Sequence, residues 1–248
     1  MLRLRPIVTE CLGRSPRSVM RDVLGVYGVN SEGPRRRSLS AQLKKLRSQP
    51  FVRVACVTIR PPGASSTPYV NVQRDLDRAT DTFEQSCGVR VFCTASIVVN
   101  TGILGSNGML DQSDCKGRGF LGIGGHDVSA EEDQLFDLGR GLGADIVCYF
   151  LPSGSTNPSL GGCAAHPKDR QGFWVQFGTS RWMFSHELGH LLGGLDHKSS
   201  NRNLMFRTPG SITATPPELT ERQCEGPPSL PPGTAGVLND PQVERCSE

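Results

Sequence analysis

Residues 186–205 read HELGHLLGGLDHKSSNRNLM. His186 and His190 are four residues apart, a spacing that places two side chains one above the other on the same face of an α-helix. Both imidazoles can then reach one ion, with each nitrogen about 2.0–2.1 Å away. Glu187 lies about 100° further round such a helix. Its carboxylate can reach a water on the ion, take a proton from it and later pass that proton to a leaving amine; zinc lowers the pKa of such a water to about 7. The helical run stops at Gly193 and Gly194, which tolerate positive φ and a sharp turn. Beyond the turn Asp196 and His197 stand side by side as candidate third ligands, and Met205 follows in NRNLM at a distance that suits a turn beneath the metal. A bare H-E-x-x-H arises by chance on surface helices. The glycine stop, the nearby ligand and the methionine raise this instance above chance.

Working outward, the segment that leads into the motif, SRWMFSHELGHLLGG, reads as one helix stopped by glycine, with Trp182 and Phe184 packing its back. FVRVACVTIR (51–60) alternates apolar and polar residues and predicts a strand closed by Pro61 and Pro62. NVQRDLDRATDTFEQS (71–86) spaces Val72, Leu76, Ala79 and Phe83 as one helical stripe. VRVFCTASIVV (89–99) predicts a second strand, and Ser129 with Glu132 forms a capping-box pattern that opens a short helix. ADIVCYFLP (144–152) is a continuous apolar run suited to a buried strand, and GGCAAH (161–166) and GFWVQFG (172–178) add two more. The order strand, helix, strand, loops, three strands, helix predicts an α/β (α+β) fold with helices packed on a twisted sheet. After Gly194 the chain is loop-rich, with a short helix expected at PPELTERQC (216–224) and an irregular Pro/Gly-rich tail at 226–236.

The chain has 248 residues, with 29 Gly and 18 Pro, which favours abundant loops over a long helical bundle. No run of about 18 apolar residues occurs, so no membrane span is expected. Residues 1–50 carry a net charge of +8 within a total of +3, densest at Arg35-Arg36-Arg37. This arm contains SLSAQLKKLRSQ, a short amphipathic piece, and reads as a basic leader or pro-like segment, poorly structured, not as a nucleic-acid-binding element. Residues 51–248 then form the main domain, 51–193 as an upper part and 194–248 as a lower, loop-rich part. The nine cysteines form no CxxC pair, which argues against a zinc ribbon and for disulfides in an oxidising compartment. The odd count leaves one outside, with Cys11 the candidate. No 7–15-residue apolar segment opens the chain, and the cysteines point to export all the same.

H-E-x-x-H-x-x-G followed by a third ligand and a Met-containing turn resembles the metzincin clan of zinc endopeptidases. In spacing it is most similar to the snapalysins, whose HExxHxxGxxD supplies an Asp as third ligand with a His next to it. HELGHLLGGLDH has that form. The resemblance implies zinc held by His186, His190 and Asp196, because Gly193 then keeps its distance from His190 and no insertion is needed. The alternative takes Gly194 as the turn glycine, which restores the commoner Gly-x-x-His spacing and makes His197 the ligand. The resemblance further implies an antiparallel edge strand, GGCAAH, whose Gly162, Cys163 and Ala164 would pair with an extended substrate, and a floor formed by Met205. Some metzincins place a Tyr just after that Met; the tyrosines here are Tyr27, Tyr69 and Tyr149, so oxyanion stabilisation would fall to the zinc and backbone donors.

The expected activity is zinc-dependent endopeptidase, with Glu187 as general base and then acid, acting as a monomer on extended protein or peptide substrates. Two alternatives stand beside it: a non-catalytic metal- or partner-binding protein, against which an intact Glu187 argues, and a zinc hydrolase of a non-protein amide. His126 in GIGGHD reads as a surface loop residue and His166 as structural. LGIGG (121–125) lacks the strand–GxGxxG–helix setting of a dinucleotide site. A cysteine switch at Cys11 finds no supporting sequence in ECLGRS.

Overall fold

A computed structural model describes residues 50–62, 72–104, 110, 128–152, 160–167 and 169–225. The basic arm, Cys11, His126, LGIGG and the Pro/Gly-rich tail lie outside these residues. The elements are β1 (Phe51–Arg60), α1 (Val72–Cys87), β2 (Arg90–Asn100), α2 (Ala130–Asp137), β3 (Ile146–Leu151), β4 (Gly162–Cys163), β5 (Gly172–Gln176), α3 (Met183–Leu191), a 3-10 turn at Pro209–Ser211 and α4 (Glu221–Glu225). The five strands form one sheet in the order β2-β1-β3-β5-β4. β2, β1, β3 and β5 run parallel, and β4 alone is antiparallel, pairing Gly162 with Val175 and Cys163 with Trp174. The fold is thus mixed α/β, with four α-helices among the described residues.

Helices on both faces bury the central strands. One face carries Val54, Cys56, Cys148, Phe150 and Val175 against Leu76, Ala79 and Phe83 of α1 and Phe184 and Leu188 of α3. The other carries Val57, Ile59, Tyr149, Leu151 and Trp174 against Leu135 and Phe136 of α2. Each fully buried Val, Leu, Ile or Phe contributes about 1.5–3 kcal/mol of transfer free energy, so the sheet and the two long helices hold one another. The alternation in FVRVACVTIR therefore does not mark an inside and a wet outside: Thr58 is buried with its apolar neighbours, and Arg53 is neutralised by Asp145, with Nη2 to Oδ1 at 2.7 Å. The capping box forms at its first half. Ser129 Oγ accepts from the Glu132 backbone N–H at 3.1 Å, while the Glu132 carboxylate turns inward and accepts from Trp174 Nε1 at 3.1 Å.

Two elements differ from their sequence reading. GGCAAH pairs only over Gly162–Cys163, because the chain leaves β5 after Cys163. The helix expected from Pro216 begins only at Glu221, because the backbone before it is drawn into pairing with the turn below α3: Glu218 N–H donates to Arg202 O at 2.9 Å, and Leu204 N–H donates to Glu218 O at 2.9 Å. A disulfide joins Cys87 at the end of α1 to Cys224 in α4, 137 residues apart. Cys163 is also disulfide-bonded, whereas Cys56 and Cys148 are buried thiols on adjacent strands.

Candidate metal centre

Helix α3 is buried on every side from Phe184 to Leu191, the condition of a central core helix. Its position is set from behind by Phe184, which stacks on Phe150 and meets Phe173 edge-on. Trp182 is buried at its start, with the Arg181 guanidinium over its ring. On the face turned to the cleft, His186 and His190 are fixed by backbone acceptors. His186 Nδ1–H donates to Leu204 O at 2.8 Å, and His190 Nδ1–H donates to Leu195 O at 2.7 Å. A carbonyl oxygen can only accept, so each ring carries its proton on Nδ1 and turns the Nε2 lone pair inward.

Those lone pairs converge. His190 Nε2 lies 3.2 Å from His186 Nε2, which lies 3.3 Å from His197 Nε2. The ligand atoms of His186, His190 and His197 all fall within 4.8 Å of one another. Nitrogens on a tetrahedral ion at about 2.0–2.1 Å stand roughly 3.3 Å apart, so these two spacings fit ligands that could hold a common cation. Without one, facing lone pairs at this distance repel. Burial pushes His186 down to about 4 and His190 down to about 3, which keeps both rings neutral and ligating near neutral pH. His197 is also lowered, first by burial and then by the nearby Arg207 charge, against the attraction of Asp196.

The structure brings His197, not Asp196, to the pair on α3. Asp196 is exposed and stands outside the trio. The link explains the reach. Gly193 at φ 78° and Gly194 at φ 60° are both left-handed, a conformation that L side chains rarely adopt. Two consecutive left-handed residues carry the chain back towards α3, and Leu195 O is spent on His190.

Glu187 lines the same cleft and is only 6% exposed. Burial raises its carboxyl to about 8. It packs against Gly162: a Cβ added there would meet Glu187 Cγ at 2.7 Å and Oε1 at 2.9 Å. Gly162, Cys163 and Ala164 line a cleft of about 180 Å³ together with His186, His190, His197, Arg207 and Pro209. β4 is the last strand of the sheet, so its outer edge borders this cleft. His166 is buried outside it, its Nδ1 on Pro167 O at 2.8 Å.

Met205 is fully buried beneath α3, in a turn closed by Phe206 N–H donating to Asn203 O at 3.1 Å. A Cβ at Gly189 would lie 2.6 Å from Met205 Sδ, so the glycine inside the motif permits the close approach. Residues the sequence reading did not single out hold this turn. Asn203 Oδ1 accepts from Met205 N–H at 2.9 Å, and Asn203 and Gln223 exchange side-chain hydrogen bonds at 2.7 and 3.2 Å. The pair fixes Leu204, whose carbonyl orients His186. Only a buried Asn and Gln near the motif hinted at it.

No family model matches the chain, and no curated protein matches it. Among solved structures it is similar to metalloproteinase-II from Bacteroides fragilis, with 13% identity, a TM-score of 0.42, and coverage of 71% of this chain and 51% of that one. It is also similar to a chain in a structure of a chaperone–substrate complex, with 17% identity, a TM-score of 0.41, and coverage of 62% and 25%. The chain therefore spans about half the length of the first and a quarter of the second.

Proposed function

We propose that this chain is a zinc-dependent endopeptidase of metzincin type, with residues 51–248 as its catalytic domain and His186, His190 and His197 as metal ligands. The observation that carries the reading is the convergence of Nε2 atoms at 3.2 and 3.3 Å on rings whose Nδ1 atoms are already committed to carbonyls. Imidazole sets of this kind suit zinc, and three protein ligands leave a fourth position open, as catalytic sites require. A zinc ion held there supplies Lewis acidity, acidifying water and polarising a carbonyl.

The chain's own groups do the rest. Glu187, shielded by Gly162 and α3, takes a proton at its carboxylate and returns it to the departing amine nitrogen. The outer edge of β4 offers main-chain groups to an extended peptide, which orients the scissile bond with loose side-chain demands. Met205 supports the histidines from below, and the Asn203–Gln223 pair holds the turn that carries Leu204. The Cys87–Cys224 disulfide favours an oxidising, extracellular setting, and no described helix is long and apolar enough to cross a membrane.

The test compares wild type with Glu187→Gln for bound zinc and for hydrolysis of a diverse peptide mixture. Expected are one zinc per chain in both and cleavage by wild type alone. Wild type that holds one zinc and cleaves no peptide would overturn the endopeptidase reading and leave a metal-binding scaffold or a hydrolase of a non-protein amide.

A further inference from the structure

We propose that the cleft selects peptides with an acidic side chain at a residue flanking the bond to be cut, and that Arg207 reads that charge. The inference rests on the endopeptidase reading and names its substrate class. Arg207 lies two residues beyond Met205 and lines the same cleft as Gly161–Ala164. It shares that lining with His186, His190 and His197, the proposed metal ligands.

The guanidinium has no carboxylate partner among the described residues. Arg53, Arg90, Arg140, Arg170 and Arg202 each have one. Among the described residues the one acidic side chain lining the cleft is Glu187, which is buried against Gly162. Asp196 sits next to His197 in sequence but does not line the cleft. An unpaired guanidinium on an otherwise apolar and histidine-bearing wall offers five N–H donors in a fork that fits a carboxylate.

Geometry supplies the register. A peptide extended along β4 advances about 3.3 Å per residue and sends alternate side chains to opposite sides. One of the two residues flanking the scissile bond would then send its side chain into the cleft that Arg207 and Pro209 line. A guanidinium–carboxylate pair makes charge-assisted hydrogen bonds, shorter and stronger than neutral ones. Such a bond is expected to change kcat/KM by about tenfold or more.

The experiment uses the zinc-loaded full chain and peptides that differ only as Glu, Gln or Lys at each position flanking one cleavage site. Wild type should favour Glu over Gln by about tenfold at one of these positions. That preference should shrink as salt rises from about 0.05 to 0.5 M, because Arg207 is exposed. Arg207→Gln should bring the Glu-to-Gln ratio near one, and Arg207→Glu should favour Lys. Cleavage by wild type with no Glu preference, a preference insensitive to salt, or one retained in Arg207→Glu overturns this inference and leaves the endopeptidase reading standing. A wild type that cleaves nothing overturns both.

Discussion

Gly162→Ala tests the proposed role of Glu187 as general base separately from the proposed metal ligands. Gly162 is not in the left-handed region, so alanine fits its backbone, and the cost lies in contact alone. The three atoms nearest an added Cβ all belong to Glu187: Cγ at 2.7 Å, Oε1 at 2.9 Å and Cδ at 3.1 Å. Carbon atoms rest at about 3.5–4.0 Å, so Cγ has to retreat by roughly 0.8 Å. Helix α3 is buried and cannot retreat as a body, so the movement falls on the Glu187 side chain. A misplacement approaching 1 Å costs up to about 10²-fold in rate, so kcat should fall by roughly 10- to 100-fold. Zinc content should stay at the wild-type value, because none of the three atoms belongs to a histidine. The assay is steady-state cleavage of a fluorogenic peptide alongside zinc stoichiometry on the same sample. A kcat within twofold of wild type, or loss of zinc, would show that the contact does not position Glu187.

His197→Ala should weaken zinc by more than the 10- to 100-fold typical of lost outer-shell partners, whereas Asp196→Asn should stay within about tenfold of wild type; chelator competition measures both, and the reverse ranking would make Asp196 the ligand. In metal-free protein Glu187 has a folded pKa of about 8, above its ordinary 4.5. Its stability contribution is full below pH 4.5 and is lost as pH rises towards 8, by roughly 4 kcal/mol at pH 8. Denaturation in chelator should therefore show Glu187→Gln gaining on wild type between pH 5 and 8, and a constant difference would refute the burial of that carboxyl. His186 and His190 lose stability in the opposite direction, below pH 6.5, equally in both proteins. Gly189→Ala should lower stability by about 1–3 kcal/mol through overpacking against Met205. The loss should shrink in a Met205→Ala background, and thermal melts of the four proteins test it.

Periodicity disclosed the fold because its elements are set by local patterns. The stripe of Leu76, Ala79 and Phe83 is the buried face of α1, and the run 51–60 is β1 residue for residue. Where long-range pairing outweighs local preference, the pattern misleads. Leu204 and Arg202 recruit Glu218, so Pro216 does not open a helix. At the site, the spacing of His186, Glu187 and His190 is a local helical fact and is legible. The return of the chain is not. Counting positions favours Asp196 on the assumption of one turn glycine, whereas Gly193 and Gly194 are both left-handed and one further residue is needed to come back. The acceptors for His186 and His190 are the carbonyls of Leu204 and Leu195, and a carbonyl leaves no mark in the sequence. Arg207 is one arginine among many until the turn sets it on the cleft wall.

The Cys87–Cys224 bridge spans every residue assigned a role in the cleft, from Gly162 through Arg207. If the chain is the endopeptidase proposed above, its own surface loops are among the extended segments it meets. A single nick anywhere between the two cysteines leaves both fragments covalently tethered, with α1 still pinned to α4 beneath the Asn203–Gln223 pair. Such a clipped molecule would run as one band without reductant and as two with it, while the fragments that carry the three imidazoles stay joined.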